Sequence, residues 1–245
     1  MSSSSSASAY ALAVSKLLQP DETAHDMLRR CGFGAFKSRF PSTGLPVLDA
    51  KLETIPSSCG DISHVFEIEG DVGTGKTFML MCLAAKIAEI GGTVLYFDLD
   101  LRLSPERLAR ILPNPSLQER ILVMRPETPI QVLASIHLLD TFQEGCIRLV
   151  VIDSLLALHQ MCSVTDPLGA GYPVSIPRML FETANRLGAI VAASKPSVAF
   201  EIVSKTWSQG VGVKIRLSSR GKASTQTMIG SEPLYLGEFD FNISA

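Results

Sequence analysis

At 245 residues, with 46 % hydrophobic and 19 % charged side chains, the chain is long enough for an α/β domain with a full core and too apolar for a disordered one. A formal net charge of −2 lacks the basic surplus that tight, independent nucleic-acid binding calls for, while leaving room for a local basic patch. Five scattered cysteines, odd in number and without a C-x-x-C pair, argue against a disulfide framework or zinc site and fit a reducing compartment.

The Ser/Ala-rich start at residues 2–8 has no signal-peptide order and reads as disordered. Two short helical patterns follow, at 9–18 and 21–31, the second opened by Asp21 and stopped by Gly32. So few large apolar groups cannot close a second core, so residues 1–40 are expected as an arm or linker and 41–245 as one domain. From residue 41 onward strand and helix patterns alternate. Residues 64–68 read as a strand, 77–90 as a helix stopped by Gly91-Gly92, and 93–98 as a buried strand. The apolar stretch at 78–97 is broken by Lys86, Glu89 and those glycines, so it is no membrane span. Ser104-Pro105 opens a helix to residue 112. Residues 121–124 read as a strand, 129–142 as a helix and 148–153 as a strongly apolar strand. A helix over 176–187 stops at Gly188 before a strand at 189–193. This alternation predicts a mostly parallel sheet with helices on both faces. Strands at 211–217, 225–229 and 234–241 predict an antiparallel extension.

The segment Gly70-Asp71-Val72-Gly73-Thr74-Gly75-Lys76-Thr77 fits G-x-x-x-x-G-K-[ST] between a predicted strand and a predicted helix. Glycines let the backbone turn its N–H groups onto phosphate oxygens, and the helix N-terminus adds partial positive charge. In that pattern Lys76 reaches the β- and γ-phosphates of a nucleotide and the Thr77 hydroxyl coordinates Mg²⁺. The run Leu149-Val150-Val151-Ile152-Asp153 sets a carboxylate at the end of a buried strand, the edge where open α/β sheets bind ligands. Asp153 is therefore the second candidate metal residue. Asp98 and Asp100 follow the preceding strand; one could orient an attacking water, or both are ordinary polar residues of a turn. His159 and Cys162 lie three apart without a second pair, which is not a metal-ligand pattern. Arg102, Arg107 and Arg110 read as a solvated helix face. Trp207 reads as a core aromatic, with stacking on a base as the alternative.

Together, and in this order, the pieces resemble the RecA/RadA recombinase superfamily, in particular its eukaryotic recombinase paralogues, over about residues 42–240. Ser42-Thr43-Gly44 with Leu48-Asp49 is similar to the start of that family's ATPase core. The stretch from Tyr96-Phe97-Asp98-Leu99-Asp100 through Ser104-Pro105-Glu106-Arg107-Leu108 is similar to its catalytic strand and following helix. Val151-Ile152-Asp153-Ser154 resembles its second ATPase motif. Lys205-Thr206-Trp207-Ser208 with Lys214-Ile215-Arg216-Leu217 resembles its approach to the last strands. The resemblance implies a RecA-like P-loop ATPase core, ATP and Mg²⁺ as cofactors, and Asp100 with Lys76 as the catalytic pair.

Departures shape the functional expectation. Active recombinases carry glutamate where this chain has Asp100, whose side chain is shorter by about 1.5 Å of reach. Where the family has a γ-phosphate-sensing amide, this chain has Ser194-Lys195, so Lys195 either contacts a phosphate or lies on the surface. The counterparts of the two DNA-gripping loops are 161–175, without Lys or Arg, and 196–206, with Lys205 alone. The family's N-terminal helical domain is not expected in a chain of this length. Its polymerisation motif is approximated by Phe33-Gly34-Ala35 or Tyr10-Ala11-Leu12-Ala13, either docking on a neighbour or packing locally. The implied function is an ATP-binding recombinase paralogue with slow or partner-dependent hydrolysis. It would stabilise or remodel a recombinase filament on single-stranded DNA together with partner subunits, in the nucleus or else the cytoplasm. The alternatives are a self-sufficient DNA-stimulated ATPase with strand-exchange or translocation activity, and a small-molecule kinase. The kinase would need an Arg-bearing lid that 161–175 does not supply.

Overall fold

Period-two apolar segments and amphipathic helices assemble into one layered α/β domain in the computed structural model, which describes residues 41–55, 62–165, 171–197, 204–218, 222–229 and 232–240. The helical patterns at 9–18 and 21–31 and both aromatic–alanine motifs lie outside the described residues. In chain order the first half comprises α1 (Pro46–Glu53), β1 (Val65–Gly70), α2 (Lys76–Glu89), β2 (Thr93–Asp98), α3 (Pro105–Ile111), α4 (Pro115–Gln118) and β3 (Ile121–Met124). There follow α5 (Pro129–Leu138), β4 (Ile147–Asp153), α6 (Leu155–Thr165), α7 (Tyr172–Leu187), β5 (Ile190–Pro196), α8 (Lys205–Gly210), β6 (Val213–Leu217), β7 (Lys222–Ile229) and β8 (Glu232–Asp240).

The strands form one sheet in the order β3-β2-β4-β5-β1-β6-β7-β8. The pairs from β3 to β6 are parallel, and β7 and β8 extend the sheet antiparallel. Strand side chains alternate between faces, so each central strand feeds two cores. Phe66, Ile68, Val94, Tyr96, Leu149 and Val151 pack with Met79, Leu83 and Ile87 of α2. Val65, Leu95, Phe97, Val150 and Ile152 pack with residues of α5, α6 and α7 and with Trp207 of α8.

Local chemistry accounts for the helix starts. Ser104, Thr128 and Ser204 each accept a backbone N–H in the first turn of α3, α5 and α8. Four helices, α1, α4, α6 and α8, carry no clear signal in the sequence. Residues 161–165 belong to α6 and 172–175 to α7, and Lys205 opens α8. The α7 start moves from 176 to Tyr172 because Pro173, not Pro177, occupies the first turn. Ser42-Thr43-Gly44 gains a physical role: the Asp49 carboxylate accepts from Ser42 Oγ, Thr43 N and Thr43 Oγ1 at 2.7, 2.8 and 2.6 Å. Gly44 (φ 73°) packs so closely on α2 that an added Cβ would stand 2.6 Å from Lys86 Cβ.

Candidate functional site

The glycine loop leaves the carboxyl end of β1 and enters α2. Gly73 and Gly75 have φ of 84° and 93°, backbone that side-chain-bearing residues rarely adopt, and Gly75 is the N-cap of α2. A Cβ on Gly70 would lie 2.4 Å from Thr74 Oγ1, so the loop closes only over glycine there. Thr74 is buried and its hydroxyl donates to Asp71 O at 2.9 Å. Asp71, Val72 and Gly73 are exposed, with Val72 at 87 %. The Lys76 ammonium folds back over the loop and donates to Gly70 O at 2.8 Å and Asp71 O at 2.7 Å. Burial lowers its pKa from the ordinary lysine value; Asp153, Asp71 and Asp100 oppose that shift and Arg102 adds to it.

Asp153 ends β4 on the face that packs against α2. It is 1 % exposed, and its peptide bond to Ser154 is cis. Three hydroxyls converge on its carboxylate. Tyr96 Oη donates to Oδ2 at 3.1 Å and Ser194 Oγ donates to Oδ1, while the Thr77 hydroxyl lies near enough to favour the charged form. Burial raises the Asp153 pKa, and the three hydroxyls pull it back down. The glycine loop and the strand-end acid thus lie side by side, with Thr77 and Lys76 both acting on Asp153 or sensing its charge. Their donors are hydroxyl and carboxylate oxygens, the set a hard divalent cation prefers. Among the described residues no three His, Cys, Asp or Glu side chains cluster to hold a metal, so an ion here would share its shell with phosphate and water.

The two acids after β2 separate in role. Asp98 is fully buried; its carboxylate accepts from Arg102 N at 2.9 Å and Leu103 N at 3.2 Å and pairs with Arg125 Nε at 3.1 Å. These partners occupy it as a turn-former. Asp100 is partly open, and its backbone N–H donates to Asp153 O at 3.1 Å. Its carboxylate lies 4.0 Å from Arg102 Nε and acts on both Lys76 and Asp153. Leu101 between them has φ 56°, an unusual backbone for leucine, in the turn that carries Asp100 to the loop.

Lys195 does not lie on the surface. It is 6 % exposed, and its ammonium donates to Glu67 Oε1 at 3.0 Å, with Glu69 Oε2 at 3.9 Å. Trp207, 1 % exposed, donates its indole N–H to Glu67 Oε2 at 2.9 Å, and its ring centroid lies 5.3 Å from that of Phe181. Base stacking by Trp207 is excluded by that burial. Lys195 is tied to the Trp207 face of the sheet, opposite the face that holds Thr77 and Asp153, which corrects the phosphate-contact reading. Sequence reasoning missed Tyr96, Ser194 and Glu67. The strand periodicity placed each on a face, but nothing in it said which strands are neighbours.

No family model matches the chain. Over 137 residues, 56 % of this chain, it is 28 % identical to Protein RecA of Deinococcus radiodurans, covering 36 % of that protein. It is 26 % identical over 137 residues to Protein RecA of Caldanaerobacter subterraneus, covering 39 % of it, and 27 % identical over 137 residues to that of Bordetella petrii, covering 37 %. The match thus spans little more than a third of the length of these relatives. The mostly parallel sheet with its antiparallel extension is a RecA-like core, and the likeness to RecA proteins supports a place in the RecA-like recombinase superfamily.

Proposed function

We propose that this chain is an ATP-binding recombinase paralogue that assists homologous recombination by stabilising or remodelling a recombinase filament on single-stranded DNA with partner subunits. The observation that carries the reading is the glycine loop, with Gly73 and Gly75 at positive φ and Lys76 folded over it, set beside the buried Asp153 carboxylate. Backbone N–H groups from Gly70 to Thr77 and the N-terminus of α2 cradle the phosphates, and Lys76 leaves the loop carbonyls for the β- and γ-oxygens. Thr77 and Asp153 hold the magnesium ion, which when bound neutralises phosphate charge. Asp100 is placed to orient a water, but its short side chain, drawn toward Arg102, makes hydrolysis slow or dependent on a partner.

Support for a partner comes from the sheet edge. Among the described residues β3 is a terminal strand, and Leu122 and Val123 on its two faces are 41 % and 39 % exposed. An apolar edge strand can accept an added strand from another chain. The low basic content of the chain fits DNA contact through such a complex rather than alone.

Lys76→Ala tests the reading. Wild-type protein at ATP·Mg²⁺ about 100 times its dissociation constant gains about 2.7 kcal/mol, a rise in melting temperature of roughly 5–10 °C. The variant is expected to lose that rise and the ATP-dependent recovery of RecA-like subunits from native extract. Unchanged nucleotide affinity in Lys76→Ala would remove the phosphate-loop assignment. A monomer with fast, DNA-stimulated turnover would favour the self-sufficient enzyme.

A further inference from the structure

The buried carboxylates of this domain are compensated in two different ways. Glu67 has Lys195 at 3.0 Å, Glu69 has Arg216 at 3.5 Å, and Asp98 has Arg125 at 3.1 Å. Asp153 is instead ringed by the neutral hydroxyls of Tyr96, Ser194 and Thr77, with the charge of Lys76 acting from further away. A buried carboxylate held by neutral donors stays oriented while keeping its negative charge available to an incoming cation. Thr77 belongs to the phosphate loop, but Tyr96 and Ser194 do not. They project from β2 and β5, the strands on either side of β4, onto the same face as Asp153, and are 0 % and 1 % exposed. Each takes a different carboxylate oxygen, which fixes the plane of the group.

We propose that Tyr96 and Ser194 are positioning residues for magnesium: they hold the Asp153 carboxylate in the orientation in which it receives the cation of a magnesium–nucleotide complex. The inference rests on the nucleotide reading above. The bland competitor is that Asp153 simply satisfies a buried tyrosine hydroxyl, in which case Tyr96 matters for stability and not for the metal. The two differ in one measurable quantity, the gain in ATP affinity that magnesium confers.

The experiment is calorimetric titration of ATP into the full chain, with Mg²⁺ and with EDTA, for wild type, Tyr96→Phe, Ser194→Ala and Ser194→Thr. Removing a group that orients a metal ligand typically costs 10-fold or more in metal affinity. Tyr96→Phe and Ser194→Ala are each expected to cut the magnesium-dependent gain about tenfold while leaving the EDTA affinity as in wild type. Ser194→Thr, which keeps the hydroxyl, is expected to restore it. A magnesium gain equal to that of wild type in Ser194→Ala and in soluble Tyr96→Phe overturns the proposal, as does an equal loss with and without magnesium. If wild type itself fails to bind ATP in either buffer, the nucleotide reading fails first.

Discussion

Glu67 shows how a single side chain can organise one face of the sheet. Its two oxygens take the Lys195 ammonium and the Trp207 indole, tying β1 to β5 and α8 inside the core. Removing one partner of a buried ion pair leaves the other charge uncompensated, which costs more than the pair itself contributes. Glu67→Ala is therefore expected to lower stability by about 3–5 kcal/mol in urea unfolding, with Glu69 at 3.9 Å holding the loss to the lower end. The double change Glu67→Leu with Lys195→Met is expected to recover most of it. A single variant as stable as wild type would show that Lys195 finds another partner or water. The same network explains why Lys195 departs from the surface position that its charge alone would favour.

At the scale of elements, close backbone approach decides what sequence patterns leave open. β6 starts at Val213 rather than 211 because Gly212 lies against the segment before β1: an added Cβ would stand 1.9 Å from Ser63 O. Gly212→Ala is expected to destabilise by about 1–3 kcal/mol or more, since backbone must move to admit the methyl group. Chemical denaturation with an unchanged m-value checks this, and a neutral result would mean that the approach of the two segments is loose. α7 carries two prolines in its first six residues. Either fits a first turn, so sequence alone misplaces the start by four residues. Packing of Ile176 and the buried Pro177 against α6 and α8 is what carries the helix past the second one.

For the whole molecule, a site kept ready for a cation is a cost to the empty fold. Burial holds the Asp153 pKa above its ordinary value of 3.8 in the folded protein. The folded state therefore binds this proton more tightly than the unfolded state. Stability of the nucleotide-free protein falls as pH rises from about 4 through the raised value, and stays lowered above it. Asp153→Asn removes that penalty. The variant is expected to melt higher than wild type at pH 7 without nucleotide, with the difference closing near pH 4. With ATP·Mg²⁺ the order is expected to reverse, because the variant has lost its metal ligand. Equal melting at pH 7 and pH 4 would show that the three hydroxyls fully offset the burial.

What the amino-acid sequence determined by itself is local. Gly73 and Gly75 set the left-handed turns of the phosphate loop, Ser104 and Thr128 cap their helices, and apolar alternation fixes which side of each strand is buried. These depend on residues within a few positions of one another, where backbone sterics and hydrogen bonding act directly. The sheet architecture also followed, since strands alternating with helices have few ways to bury both faces. Strand order did not follow, and the site depends on it. Tyr96 lies 57 residues from Asp153 and Ser194 lies 41; Lys195 and Trp207 lie 128 and 140 residues from Glu67. Period two assigns each of these side chains to a face, but only the packing of β2, β4 and β5 side by side brings hydroxyls to the carboxylate. Likewise, only β1 beside β5 brings Glu67 to Lys195. The tertiary structure alone made that choice, because it is settled by the burial of all the strands together and not by any one of them.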